Sequence, residues 1–198
     1  NEESPGTLHV ASSSGIFFLF DPIASPEFRR MLRGHDDPQF ALDKKGKRLD
    51  QQDIIMAELE VRVKQNQNIS IADKIDVPVA VMIGKCDILK DQLDWERIQW
   101  PIKDKKLIQE IIDSNSEILR DYLIDMHPGI VANAETLSRN VRYFPVSAFG
   151  HSPTTYKNGD QEFIAPDPDK LDPVMVEVPT LWALSQVEPD LIPVPEPA

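Results

Sequence analysis

Residues 77–87 read VPVAVMIGKCD, an apolar run that ends abruptly in a lysine and an aspartate. A β-branched and aliphatic run of this length, opened by Pro78 and closed by Gly84, predicts a strand buried on both faces of a parallel α/β sheet. Ligands of such sheets bind in the crevice beyond the carboxyl ends of the strands. The run therefore predicts that Lys85 and Asp87 project into a ligand-binding crevice.

Two further apolar runs indicate the other strands of this sheet. Residues 15–20 read GIFFLF and predict a buried strand, with a buried helical turn as the alternative. Asp21 is interpreted as a turn residue before Pro22 rather than as a metal ligand. Residues 141–147 read VRYFPVS and predict the third strand. Helical segments separate the three runs, so we expect βαβαβ order with parallel, right-handed crossovers.

Sequence patterns typical of helices lie between these strands. Ser25, Pro26 and Glu27 have the N-cap, the N1 proline and the acidic first turn of a helix start. Residues 113–115 predict a break between two helices. After His151 the chain is expected to be mostly extended. The predicted helices run from Pro26 towards Gly34, over 50–64 with Asp50 as the cap, and over 105–112, 116–126, 130–137 and 179–187.

Length and composition favour one domain over residues 1–187, followed by a flexible proline-rich tail over 188–198. Asp and Glu number 33 against 21 Lys and Arg, and the net charge of −12 argues against binding to a nucleic-acid backbone. No apolar run approaches the roughly 18 residues of a membrane span. Cys86 is the single cysteine, which excludes an internal disulfide and fits a reducing, cytoplasmic compartment. The four histidines are scattered, so no metal site is predicted.

The ends of the second and third strands resemble the base-recognition motifs of P-loop GTPases. In that family [Asn/Thr]-Lys-x-Asp follows a hydrophobic strand, and here residues 84–87 read GKCD, with Gly84 at the first position. Ser147 and Ala148 resemble the second guanine motif. In strand order, and in the ending around Leu181 and Trp182, the chain is similar to the carboxyl-terminal half of a Ras-like, TRAFAC-type GTPase domain. Its helix inserts and its Pro-x-Leu-Trp ending resemble those of the bacterial double-GTPases.

This resemblance implies a three-layer α/β fold of the P-loop NTPase type with a mainly parallel sheet. It also implies a guanine site. Asp87 would accept from the N1–H and the exocyclic amine of the base, and the stem of Lys85 would lie over the ring. The N–H of Ala148 would donate to O6, with Ser147 in the same loop. GTP or GDP would be the ligand of the intact parent protein, together with Mg²⁺.

Two elements of the family pattern are missing from the sequence. No Gly-x-x-x-x-Gly-Lys-[Ser/Thr] phosphate loop occurs, and residues 43–46, which have the spacing of the Asp-x-x-Gly switch, are interpreted as a coincidence in a polar loop. The family places both elements before its equivalent of residues 15–20. We therefore expect the chain to begin partway through a GTPase domain, to lack the amino-terminal phosphate-loop half, to bind GTP only poorly, so that no nucleotide stays bound to the chain alone, and not to hydrolyse GTP.

Two functions follow from this expectation. The chain is either the base-recognition portion of a guanine-nucleotide-binding protein, or a catalytically inactive pseudo-GTPase that acts as a protein-interaction module. In both cases the outer edge of residues 16–20 carries unpaired backbone groups beside an apolar surface. We expect the chain's own ends, a second copy or a protein partner to cover that edge.

Overall fold

The computed structural model describes residues 12–42, 52–159 and 161–193. The strands are β1 (Ile16–Phe20), β2 (Val79–Ile83), β3 (Ile102–Lys103), β4 (Lys106–Leu107), β5 (Val141–Pro145), β6 (Thr154–Asn158) and β7 (Gln161–Ala165). The α-helices are α1 (Pro26–Met31), α2 (Gln39–Leu42), α3 (Gln52–Asn66), α4 (Gln109–Met126), α5 (Pro128–Leu137) and α6 (Val178–Val187). The predicted cap at Asp50 and the coincidental switch spacing at 43–46 lie outside the described residues.

The central sheet contains β1, β2 and β5, in that order, and all three strands are parallel. In the register, Val79 pairs with Ile16 on one side and with Val141 on the other. The carboxyl ends of the three strands therefore meet at one edge of the sheet. This confirms the predicted parallel sheet and the order of its strands along the chain.

Helices pack on both faces of the sheet, so the fold is a mixed α/β fold. On one face, alternate residues such as Phe18 and Val81 pack against α1, α3, α4 and α5. On the other face, Ala80 and Phe144 pack against Trp182 of α6, with 5.4 Å between the ring centroids of Phe144 and Trp182. In the part of the chain that the structure describes, no helix is long and apolar enough to cross a membrane.

The strands differ in burial according to their place in the sheet. The central strand β2 is buried on both faces, as predicted, with Val79, Ala80 and Val81 fully inaccessible. The prediction that residues 15–20 form a fully buried strand is wrong, because burial alternates along β1. Phe17 is 45% exposed and Leu19 60% exposed. An apolar run of this kind is compatible with a central strand and with an edge strand. β1 lies at the edge of the sheet, on the side that α6 leaves uncovered.

The helix α1 begins as predicted. Ser25 is its N-cap, with Oγ 3.5 Å from the Phe28 amide, and Pro26 and Glu27 occupy its first turn. The predicted break at 113–115 is wrong, because α4 runs without interruption. The polar side chains there bond to neighbouring segments instead of to their own backbone: Asn115 Nδ2 donates to the Gln99 carbonyl, 2.7 Å away.

Two other segments differ from the predictions. Residues 105–107, predicted to be helical, belong to the β3–β4 hairpin. Beyond His151 the antiparallel β6–β7 hairpin was not predicted. The chain after α6 contacts the domain as far as Pro193, whose carbonyl accepts from the Leu107 amide at 2.9 Å.

Candidate functional site

A cavity of about 400 Å³ opens at the carboxyl end of the parallel sheet. Lys85 and Asp87, which follow β2, and Ser147 and Ala148, which follow β5, all line it. The structure therefore brings the two loops that resemble the GTPase motifs together in one crevice. The volume falls within the range of about 300–1,000 Å³ that is usual for small-molecule sites.

Backbone hydrogen bonds hold the loop after β2 against its neighbours. The Gly84 amide donates to the Phe20 carbonyl at 2.8 Å, and the Cys86 amide donates to the Val146 carbonyl at 3.1 Å. Lys85 adopts the left-handed conformation, with φ 50°, and caps a 3-10 turn over Cys86–Leu89. This turn reverses the chain and brings the half-buried Asp87 to the cavity.

The structure gives a reason for glycine at position 84, where the GTPase motif has Asn or Thr. A Cβ atom added there would lie 3.1 Å from Leu19 Cδ1 and 3.2 Å from the Phe20 carbonyl oxygen. The backbone oxygen cannot move without disturbing the hydrogen bond between β1 and this loop. The close approach of β1 therefore favours glycine.

The loop after β5 is anchored on both sides of Ala148. Ser147 exchanges two backbone hydrogen bonds with Val174, of 3.1 and 2.8 Å. Its Oγ accepts from the Gly150 amide at 2.9 Å. Gly150 has φ +72°, and a Cβ atom there would lie 1.8 Å from the Asp172 carbonyl oxygen. Only glycine fits this position, and the resulting tight turn leaves Ala148 exposed at the cavity.

Other lining residues of the cavity were not predicted from the sequence. Asp37 and Gln39 come from the segment after α1, and His151 and Pro153 come from the segment before β6. Asp37 is 3% exposed, and its carboxylate accepts from the Gln39 amide at 2.8 Å. Tertiary packing alone brings these segments to the sheet. The one signal in the local sequence is that His151 lies only three residues after Ala148, which was itself a predicted site residue.

Asp21 also lines the cavity, at the end of β1. Its carboxylate accepts from the Ile23 amide at 2.9 Å, which confirms its interpretation as a turn residue. The buried Gln52 side chain of α3 fixes its backbone from both sides, accepting from the Asp21 amide at 2.8 Å and donating to the Asp21 carbonyl at 2.9 Å. Gln52 thus couples α3 to the edge of the cavity.

Most of the described lining of the cavity is apolar, and the charged side chains within it are mainly acidic. It contains three carboxylates, on Asp21, Asp37 and Asp87, and one ammonium group, on Lys85. Carboxylates accept hydrogen bonds and repel anions, so this lining favours a ligand with N–H and O–H donors. Within the described ranges, no group of three or more His, Cys, Asp or Glu side chains is arranged to hold a metal ion.

Cys86 lies between Lys85 and Asp87, but its thiol points away from solvent and is fully buried. Burial, followed by the nearby Asp87 carboxylate, raises the pKa of the Cys86 thiol to about 12. The thiolate is the reactive form of cysteine. The environment of Cys86 is therefore that of a packing residue.

We expect this thiol to react with iodoacetamide at pH 8 at least about a hundredfold more slowly in the folded chain than after unfolding, because both the thiolate fraction and the access fall. Mass spectrometry of alkylated samples with and without guanidinium chloride measures the ratio. Equal rates in the two samples would mean that Cys86 is accessible in the folded chain.

A second cavity, also of about 400 Å³, lies at the amino end of β5 and is strongly charged. Arg120 binds Glu135 with two nitrogens, and Arg142 Nε lies 2.7 Å from Asp113 Oδ1. The hydrogen bond from Arg120 lowers the pKa of Glu135, and burial raises the pKa of Tyr143, whose hydroxyl contacts Glu135 at 3.2 Å. These guanidinium groups are already paired, so the cluster links α4, α5 and β5.

The four residues assigned to guanine by resemblance line one cavity, and their role in binding a base stays a prediction. No family model, no curated protein and no solved structure matches the chain. The relation of the chain to the P-loop GTPases is therefore a proposal that rests on these residues and on the parallel sheet.

Proposed function

We propose that the cavity binds the guanine base of a nucleotide and that the chain is the base-recognition portion of a GTPase-like protein with a P-loop NTPase-like fold. The observation that carries this proposal is the convergence of Lys85, Asp87 and Ala148 at the carboxyl ends of two adjacent parallel strands. Ligands bind at this edge in parallel α/β sheets. GTP or GDP is the physiological ligand under this proposal.

The chemistry of the three groups matches guanine. The N1–H and the exocyclic amine lie side by side on the base, and the two oxygens of Asp87 accept from both. Adenine has no such pair of donors and would leave the carboxylate unsatisfied. The aliphatic stem of Lys85 covers the flat ring while its ammonium group stays solvated. The N–H of Ala148 donates to O6, and its small side chain permits the close approach of the base.

Base selectivity tests this proposal directly. We expect the chain to bind GMP at least about tenfold more tightly than AMP, because hydrogen bonds to a charged acceptor contribute about 1.5–3 kcal/mol each. Asp87→Ala should remove this preference. Titration of the ¹⁵N-labelled chain, followed by NMR, measures weak affinities reliably.

Asp91→Ala is the matched control, because Asp91 is an exposed carboxylate four residues further on that does not line the cavity. This variant should retain the preference for GMP. Equal affinities for GMP and AMP in the wild type, or a preference that survives in Asp87→Ala, would contradict the assignment of the site to guanine.

The second candidate function, an interaction module, is favoured by the open edge of β1. Among the described residues no strand pairs with β1 on the side away from β2. The Ile16 amide donates towards β2, so in an alternating strand the amides of Phe17 and Leu19 point outward. Their exposed side chains lie beside this edge. Such an edge is a template for a strand from another polypeptide.

We expect this edge to be covered in solution by a second copy or by a protein partner. Light scattering should then give a mass above the 22.4 kDa of one chain when the second copy is the partner. The amides of Phe17 and Leu19 should exchange slowly with solvent. A monomer in which both amides exchange rapidly would count against the interaction module.

A further inference from the structure

The β6–β7 hairpin is held to the rest of the domain by few contacts. Thr154 pairs with Ala165 at its base and Asn158 pairs with Gln161 at its tip. Among the described residues, no side chain of the hairpin belongs to the two buried clusters that join the sheet to its helices. An isolated two-stranded hairpin is at best marginally stable in water. We therefore expect this hairpin to open locally much more often than the domain unfolds.

The hairpin turns at an Asn-Gly pair, Asn158 and Gly159. Asn158 is exposed, and its carboxamide has no hydrogen-bond partner among the described residues. Gly159 has φ +61°, and the space that a Cβ atom would occupy there is open. Because glycine has no side chain, its backbone nitrogen is the least hindered of any residue. Neither packing nor a side-chain hydrogen bond holds the carboxamide of Asn158 away from this nitrogen.

The other asparagines in the part of the chain that the structure describes lack this combination. Asn115 is buried. The carboxamides of Asn133 and Asn140 donate hydrogen bonds of 2.9 and 3.0 Å. The remaining two, at positions 66 and 68, precede residues with long or branched side chains, which crowd the backbone nitrogen. Asn158 is thus the one described asparagine that is followed by glycine and has an unbonded side chain.

We propose that Asn158 is a site of spontaneous deamidation. The backbone nitrogen of Gly159 attacks the side-chain carbonyl carbon of Asn158 and forms a new C–N bond, while the bond from that carbon to the side-chain nitrogen breaks. The side-chain nitrogen leaves as ammonia and takes up the proton that the Gly159 nitrogen loses. Water then opens the five-membered imide at either of its carbonyl groups. The product has aspartate or isoaspartate at position 158.

The hairpin controls this reaction because the ring cannot close while Asn158 keeps the extended backbone of a strand. Local opening of the weakly held hairpin releases that restraint. The product also changes the hairpin. Isoaspartate inserts one additional carbon atom into the backbone, so the pair with Gln161 cannot re-form, and either product adds one negative charge to the net charge of −12. The buried clusters are unaffected, since they contain no residue of the hairpin.

The test is incubation of the full chain at pH 8 and 37 °C, followed by digestion and mass spectrometry of the peptides. We expect position 158 to convert at least about tenfold faster than Asn133 or Asn140, with aspartate and isoaspartate peptides that elute separately. Asn158→Gln should abolish the conversion at this position, because glutamine would have to close a larger ring. Asn140→Gln is the matched control and should leave the rate at position 158 unchanged.

A second sample, unfolded in guanidinium chloride, tests the role of the hairpin. We expect the rate at position 158 in the folded chain to lie within about tenfold of the rate in the unfolded chain, because the hairpin opens readily. The urea midpoint of the converted chain should equal that of the fresh chain. Conversion of Asn133 or Asn140 as fast as that of Asn158 overturns the proposal. A folded rate below about a hundredth of the unfolded rate also overturns it, since the hairpin would then be firmly closed.

Discussion

Replacing Lys64 with methionine is expected to lower the free energy of unfolding by about 3–5 kcal/mol, the range for breaking a buried ion pair. The Lys64 side chain is 2% exposed, and its Nζ lies 2.7 Å from Glu60 Oε1. It also donates to the carbonyl oxygens of Ile71 at 2.8 Å and of Thr136 at 3.1 Å. One ammonium group thus joins α3, the segment before β2 and α5. Methionine fills the space but leaves a carboxylate and two carbonyls without their donor.

Urea denaturation monitored by circular dichroism measures this loss. Arg62→Met is the matched control, because Arg62 pairs with Glu58 on the same helix at 3.6 Å while both side chains are more than half exposed. Exposed pairs contribute about 0–1 kcal/mol, so this variant should be nearly neutral. The double variant Lys64→Met, Glu60→Leu should recover part of the stability, since it removes the orphaned carboxylate. Equal small effects of Lys64→Met and Arg62→Met would show that the buried contacts do not form in solution.

Asp87→Asn is expected to change the base preference of the cavity from guanine towards xanthine. The amide presents a donor where the carboxylate had an acceptor, so guanine would meet donor against donor. Xanthine has a carbonyl where guanine has its amine and would be accommodated. A lost charge-assisted hydrogen bond together with a mismatched pair costs about 3 kcal/mol, or roughly a hundredfold in affinity for guanine.

Competition between GMP and xanthosine monophosphate, in the wild type and in the variant, measures this change. Asp91→Asn should leave the order of affinities as it is in the wild type, since that side chain lies outside the cavity. A preference for guanine that persists in Asp87→Asn would mean that another group contacts the Watson–Crick edge. Lys85 and Asp87 would then be an ordinary polar turn after a buried strand.

The elements that were predicted correctly are those whose sequence signals lie within the element itself. The central strand β2 is apolar at every position because both of its faces are covered, and the start of α1 follows from the capping residue Ser25. The exposure of β1 could not be predicted, since an apolar run does not reveal which strand lies at the edge of a sheet. The continuity of α4 was missed for a similar reason. Ser116 Oγ accepts from the Tyr143 amide, a long-range bond that overrides the local preference of a polar stretch.

In helix α3 the buried face could not be identified from the spacing of apolar residues, because it contains a buried ion pair. Residues 50–64 carry Ile54, Ile55, Leu59 and Val63 at helical spacing, but Ile54 and Ile55 are 46% and 54% exposed whereas Val63 is buried. The buried face contains Met56 and Val63 together with the ion pair of Lys64 and Glu60. Sequence analysis assigns Lys and Glu to solvent by default, because such residues are buried only when paired. The two side chains pair within α3, but their burial depends on α5 and on the segment before β2, which supply two carbonyl acceptors to Lys64.

The candidate site also has one part that could be predicted from the sequence and one part that could not. Its strand-end residues were predicted, because parallel order and short loops are sufficient to bring residues 85–87 and 147–148 together. The lining residues within 37–39 and 151–153 were not predicted, because they reach the sheet through loops and a hairpin whose sequence patterns are weak. The β6–β7 hairpin turns at Gly159, with φ +61°, and every residue of its two strands is exposed or half-buried. The contact between the rings of Tyr156 and Phe163 gives no alternating apolar signal in the sequence.

The most direct test of guanine recognition is the backbone amide of Ala148, followed in ¹H–¹⁵N spectra while GMP and AMP are added separately. We predict that GMP moves the Ala148 amide proton downfield, as a hydrogen bond to O6 requires, and that the amides of residues 85–87 move at the same nucleotide concentration. AMP should leave Ala148 in place, because adenine has an amine where guanine has O6. The contradicting result is an Ala148 amide that is unmoved by GMP, with the largest changes instead at the charged cavity around Arg120 and Arg142.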